Sequence, residues 1–340
     1  MPRAARPTDG PPTPGHPPHH PTDPLEDAMT TTDAPAPAPG APGRAPVPTP
    51  RDTLARRGSV FLSAHPRARL ALLLSAPLFW LGLVYIVALA ALLVTAFWTV
   101  DSFTGQISTE FTLDNIITVI TGSLYQTVTL RTLGVALAVT VIDVALALPI
   151  AFFMAKVASP RLQRALVVAV LTPLWASYLV KAYAWRSVLS QDGILEWLIS
   201  PLGLHTPGYG LPATIITLSY LWLPYVILPI YAGLERVPDS LLEASGDLGG
   251  KTWQTMRLVV LPMAMPAIIA GTIFSFSLSL GDYITVNIVG GASQMLGNLV
   301  YTNVGAANNL PLASAIALIP IVIIFGYLFL VRRTGALDNL

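Results

Sequence analysis

Between Leu70 and Val100 the chain carries no Asp, Glu, Lys or Arg. That uninterrupted apolar run exceeds the roughly 20 residues a spanning helix needs. The same pattern recurs along the chain and predicts six spans, at about 72–98, 132–155, 165–185, 212–234, 263–289 and 312–331. Asp143 interrupts the second, and Lys181 sits near the outer end of the third. The segment 194–204 is apolar but too short and too broken to cross. The expected fold class is therefore an all-α membrane protein, with a six-helix domain over 66–340.

Polar positions set the orientation. Lys156, Arg161, Arg164, Arg236, Lys251, Arg257, Arg332 and Arg333 gather on one side of these spans, with Arg56, Arg57, Arg67 and Arg69 before the first. Only Arg131, Lys181 and Arg186 fall on the other. Cytoplasmic loops carry the excess of Lys and Arg, so both termini are expected in the cytoplasm of a multi-pass plasma-membrane protein.

Composition agrees. Charged residues make up 11% of the 340 and hydrophobic ones 53%, against about 25% charged in soluble domains. A net charge of +1 gives no field that would draw nucleic acid. With no cysteine, thiol catalysis, disulfides and cysteine metal sites are excluded. Residues 1–50 hold 16 of the 31 prolines and no apolar run, so 1–65 is expected to be a disordered Pro/Ala-rich cytoplasmic tail without a signal-peptide pattern. His16, His19 and His20 lie in that tail and read as solvated, not as a metal site.

The longest internal cytoplasmic loop, 235–262, contains EASGDLGGKTW. Its Gly250-Lys251-Thr252 is the way a phosphate-binding loop closes. Such a loop needs a glycine where Ser245 stands, a strand before it and a buried parallel sheet, and none is predicted here. Pro238-Asp239 instead reads as a helix start, Gly249-Gly250 as a stop and turn, and Thr252 as the cap of a second short helix over 253–260. Two short helices around a glycine corner are expected to lie along the membrane surface.

Glu243-Ala244-Ser245, then Gly249, then Val259, Leu261 and Pro262 reproduce a spacing of E-A-A, three residues, G, nine residues, I-x-L-P. In this the chain resembles the permease subunits of bacterial ABC importers, with Ser245 and Val259 as its two departures. The runs LTPLWASYLVKAYAWRSVL, YLWLPYVILPIYAGLERVPDSLLEA, SLGDYITVNIVGG and NNLPLASAIAL look like the spermidine/putrescine branch, in particular the first of its two paired permeases. The resemblance covers about 70–335. It implies a type I importer fold, a second permease, an ATPase dimer that holds ATP and Mg, and a periplasmic or lipid-anchored substrate-binding protein. No cofactor is implied on this chain, and hydrolysis is expected on the separate ATPase.

On that resemblance, Leu241, Leu242, Glu243, Ala244, Ser245, Leu248, Gly249, Leu261 and Pro262 couple this chain to the ATPase. The small residues permit close backbone approach, the leucines seat in an apolar groove, and Glu243 pairs at its rim. An ordinary amphipathic loop packed on its own membrane face is the alternative. For a polycation, carboxylates and aromatic faces would line the path, and Asp143, Tyr183, Trp185, Trp222, Asp282 and Tyr283 are the candidates. Structural pairing of the carboxylates and an interfacial aromatic belt are the competing readings. Another solute, such as iron, phosphonate or an amino-acid derivative, stays open, as does a stand-alone secondary transporter or channel.

Overall fold

The computed structural model describes residues 66–101 and 104–333. The proline-rich tail expected over 1–65, with its histidines, lies outside the described residues. The packing described below lies within residues 74–333.

Helix α1 (Pro66–Thr95) is long and apolar enough to cross a membrane over Leu73–Thr95. Leu78, Phe79, Trp80, Tyr85 and Ile86 are all exposed, so no single face is turned inward. A helix apolar all round is matched to lipid or to another chain. A two-stranded ribbon follows, β1 (Thr99–Val100) against β2 (Ile107–Ser108), antiparallel, with Val100 opposite Ile107. The Asn115 side chain holds the turn between α1 and β1, donating to the Trp98 carbonyl at 2.7 Å and to the Ala96 carbonyl at 3.2 Å. Asn115 belongs to α2 (Asp114–Thr121), which leads into α3 (Ser123–Phe152) and a π-helical turn at Phe153–Val157.

Next come α4 (Pro160–Trp175), α5 (Tyr178–Val188), α6 (Ile194–Ile199) and α7 (Leu211–Glu235). Helix α8 (Asp239–Asp247) and the single turn α9 (Thr252–Thr255) flank the glycine corner. A second π-turn, Met256–Val260, joins α9 to α10 (Leu261–Leu280). Helices α11 (Ile284–Val289), α12 (Leu296–Val304) and α13 (Leu310–Arg333) complete the described chain.

At the centre α3, α7 and α10 pack on one another. Ala147, Ala151, Met154, Val226, Ile230, Leu234, Val260 and Ala264 are buried where they meet. Small residues set the approach of α7 to α10. A Cβ on Gly233 would stand 2.3 Å from the Ala267 Cβ, and one on Gly271 would stand 3.0 Å from Val226.

Five helices pass the length and hydropathy test for a span: Leu73–Thr95, Ser123–Val157, Leu211–Glu235, Thr252–Leu280 and Leu310–Arg332. The third expected span, 165–185, is not a straight helix. It is the pair α4 and α5, bent by 95°. The backbone is extended at Ala176 and Ser177, after Pro173 has removed an N–H donor from the last turn of α4. Counting the bent pair as one crossing gives six. The fifth expected span, 263–289, is also corrected: α10 stops at Leu280, and the chain breaks at Gly281 before α11. The short helix expected over 253–260 is not a separate element, because α9, the π-turn and α10 run on as one span from Thr252. Thr252 is inside its first turn and does not cap it. The Gln254 side chain takes the Lys251 N–H instead, at 2.8 Å. Pro224 and Pro229 are accommodated inside α7, which continues through both.

Candidate functional site

The loop after α7 is shaped by its own hydrogen bonds. Gly249 has φ +77°, a left-handed conformation that glycine adopts without strain and that reverses the chain after α8. Next to it, the Gly250 N–H donates to the Ser245 carbonyl at 2.9 Å. A Cβ on Gly250 would meet that carbonyl at 2.7 Å and the Ser245 Oγ at 2.8 Å. The Ser245 and Thr255 hydroxyls bond at 2.8 Å and link α8 to α9. The departure from alanine at 245 therefore adds a polar tie across the corner. Gly250 and Thr255 belong to this geometry, although the fixed-spacing motif does not include them.

The loop's apolar residues face two ways. Leu242 packs on the central core cluster, while Leu241, Leu248, Trp253 and Leu258 are exposed, Leu248 at 89%. Glu243 and Ala244 are exposed too, and Pro262 sits in the first turn of α10 beside Leu261. Leu241, Ala244, Ser245, Leu248, Gly249, Gly250 and Leu258 line a cleft of about 470 Å³. Its mixture of small residues and leucines suits a docked apolar side chain.

The two buried carboxylates occupy different surroundings. Asp143 is fully buried where α3, α7 and α10 converge, and its Oδ2 accepts from the Ser275 hydroxyl at 2.6 Å. The buried Ser219 hydroxyl of α7 also lies beside this carboxylate. Asp143 thus stands among helices of its own chain.

Asp282 lies in the break between α10 and α11, at 7% exposure. Its Oδ1 accepts the Thr285 N–H at 2.8 Å, satisfying a donor that the first turn of α11 leaves free. Its Oδ2 accepts from the Tyr178 hydroxyl, which also lies 2.5 Å from the Thr285 hydroxyl. The Tyr178 ring stacks on Trp222 at 5.9 Å between centroids, and Trp222 in turn meets Tyr225 at 5.9 Å. The indole N–H of Trp222 is buried without a partner. One carboxylate, two hydroxyls and an aromatic wall therefore share one place.

Of the other aromatic candidates, Tyr283 stacks on Tyr301 at 5.0 Å, Trp185 meets Tyr220 at 5.3 Å, and Tyr183 is exposed on α5. Asn298 holds the break from the far side, donating to the Tyr283 carbonyl at 3.2 Å and to Asn287 at 2.6 Å. Gly297 allows α12 to lie against it, since a Cβ there would stand 2.9 Å from the Asp282 carbonyl. Tyr178 and Thr285 complete the carboxylate's surroundings. Tyr178 is one of several aromatic residues in the sequence that could supply a face, and its hydroxyl contact with Asp282 is what distinguishes it.

Glu196, in the first turn of α6, clips the connection that leads from α6 to α7. Its Oε1 pairs with His205 Nδ1 at 2.7 Å and its Oε2 accepts the Thr206 N–H at 2.6 Å. The His205 hydrogen bond, reinforced by the Thr206 amide, holds the Glu196 carboxyl below the usual range. Among the described residues, no group of three or more His, Cys, Asp or Glu could hold a metal ion.

Comparison with known proteins joins these features. Over 297 residues the chain is 44% identical to the inner membrane ABC transporter permease protein YdcU of Escherichia coli K12, covering 83% of this chain and 95% of that one. It is 31% identical over 257 residues to the spermidine/putrescine transport system permease protein PotB of Escherichia coli K12, covering 74% and 92%. The fold matches that of a chain in the crystal structure of a bacterial alginate ABC transporter in complex with an alginate pentasaccharide-bound periplasmic protein. The TM-score is 0.59 at 16% identity, over 80% of this chain and 97% of that one. This is the type I ABC importer permease fold. Residues 147–334 match the family of binding-protein-dependent transport system inner membrane components. The chain belongs to that family, as a multi-pass inner-membrane permease subunit of an ABC importer and not itself an enzyme.

Proposed function

We propose that this permease takes up polyamines. The observation that carries the reading is the buried Asp282 carboxylate beside Tyr178, Thr285 and the Trp222 face, just past the end of a spanning helix. A carboxylate with an aromatic neighbour suits an alkylammonium, through ion pairing and cation–π attraction. A relative that bears spermidine/putrescine transport in its name supports the same substrate class. The name of YdcU specifies no solute, so uptake of another small solute is the second reading.

In the proposed mechanism the chain pairs with a second permease above an ATPase dimer, and a substrate-binding protein delivers the solute. ATP and Mg bind the ATPase. Its closure draws the loops around Gly249 together, the paired permeases open outward, and hydrolysis resets the inward-facing state. With the bent pair counted as one crossing, an even number of crossings puts both ends on one side, and the excess of Lys and Arg there supports a cytoplasmic orientation. Uptake of labelled putrescine or spermidine into proteoliposomes holding the whole transporter tests this. Import that needs ATP and the binding protein is expected. Import by this chain alone on an ion gradient, indifferent to ATP, refutes the mechanism. ATP-dependent transport without polyamine uptake leaves the other solutes.

A further inference from the structure

Lys156 lies in the π-turn that ends α3, with its side chain only 8% exposed. Its ammonium donates to the Val237 carbonyl at 2.6 Å and to Asp239 Oδ1 at 2.7 Å. Val237 follows the end of α7 and Asp239 begins α8, so this one ammonium grips both sides of the corner where one helix turns into the other. A cation suits that position. The carbonyls ending α7 present partial negative charge, and a lysine near a helix C-terminus both bonds to them and opposes the dipole. A second tie lies beside it, because Leu242 of α8 packs on the core cluster that includes Ala151 and Met154 of α3 and its π-turn. Leu241 and Leu248 remain exposed.

We propose that Lys156 is a positioning residue of the coupling machinery, routing displacement of α8 into α3. The continuous chain already carries that displacement into α10. With Lys156 in place, the loop moves two of the three central helices together. The inference rests on the proposed role of the loop in meeting the ATPase.

The two bonds contribute unequally. Asp239 has a side chain 76% exposed, and an exposed ion pair contributes little in water. The Val237 residue is buried, at 3% exposure, so its carbonyl is the dominant partner.

The test uses the complete transporter in proteoliposomes. Two quantities are read: ATP hydrolysed per putrescine imported, and stimulation of the ATPase by the binding protein. Lys156→Met is expected to raise the first and lower the second about tenfold, the size associated with losing one hydrogen bond to a charged group. Lys156→Arg, which donates to both oxygens, recovers most of the coupling. Asp239→Asn changes either quantity by less than about twofold. Lys156→Gln, an uncharged donor, substitutes for the Met variant if that fails to insert, and falls between it and the parent. Unchanged coupling in whichever variant inserts, or equal loss in Lys156→Arg, overturns the assignment. An unmodified transporter whose ATPase responds to its binding protein but which imports no putrescine overturns the polyamine reading instead, and the stimulation ratio still decides the role of Lys156.

Discussion

Tyr178 on α5 donates its hydroxyl hydrogen to Asp282, which lies 104 positions further along the chain in the break between α10 and α11. The bond ties the bent third crossing to the interrupted fifth one. On the proposed polyamine reading, an alkylammonium at this carboxylate would share it with the tyrosine hydroxyl or replace that hydroxyl.

Structure and transport separate at that pair. Asp282→Asn keeps an acceptor but removes the charge, and is expected to lower putrescine uptake about tenfold, the worth of one charge-assisted contact, with ATPase association unchanged. Tyr178→Phe leaves the carboxylate charged and is expected to cost about 1.5–3 kcal/mol of stability, as for a lost bond to a charged group. Uptake and thermal unfolding of the purified complex check both, and unaltered uptake in Asp282→Asn removes that residue from the pathway.

At the loop, Gly249→Val forces a β-branched residue to φ +77°, where it is a conformational outlier. Glu243→Ala removes an exposed charge without disturbing the backbone. Both variants are expected to insert normally and to hydrolyse ATP without import. Normal transport in both would falsify the coupling role.

The α7–α10 approach gives a test of packing. Gly233→Ala places a methyl group against Ala267 and is expected to cost about 1–3 kcal/mol. Adding Ala267→Gly should recover most of it, since the clash is between those two Cβ positions. Melting temperatures of the two variants decide the matter, and a double variant no better than the single one places the clash elsewhere.

The Glu196 clip responds to acid. Its carboxyl titrates below its unfolded value, so the clip contributes stability above the ordinary Glu value of about 4.3 and loses it as pH falls through the depressed folded value. Hydrogen exchange in 196–210 is expected to rise as pH is taken from about 5 towards 3. Glu196→Gln should show the fast exchange already at pH 5, after correction for the intrinsic pH dependence. An identical pH response in that variant would assign the effect to another group.

Much of the architecture was legible because spans depend on local hydropathy: the first, fourth and sixth spans lie within a few residues of where the apolar runs put them, while the second starts earlier, at Ser123, and the fifth runs from Thr252 to Leu280 and not over 263–289. The bend at Ala176 was not legible, because hydropathy carries no direction; Lys181 and Pro173 were its traces. Gly281-Asp282 after an apolar run did signal a helix stop, but the apolar ITVNIV beyond it masked the signal. The glycine corner at Gly249 was readable, since turn chemistry is local. The Ser245–Thr255 and Lys156–Val237 ties were not, because each joins positions whose facing is decided only once the helices pack.

Asp143 and Ser275 are separated by 132 residues, and that distance is also an interval of time. A ribosome adding about 5–20 residues per second completes Ser275 roughly 7–26 seconds after Asp143. Throughout that interval α3 exists without the hydroxyl that its carboxylate finally accepts. Left in lipid, the charge costs about 2.5–3.5 kcal/mol on insertion scales. The early half of the protein must therefore wait beside the insertion machinery, or neutralise itself, until its later half arrives. Assembly of the three-helix centre is in this sense a late event of synthesis, complete only once the span that carries Ser275 has been made.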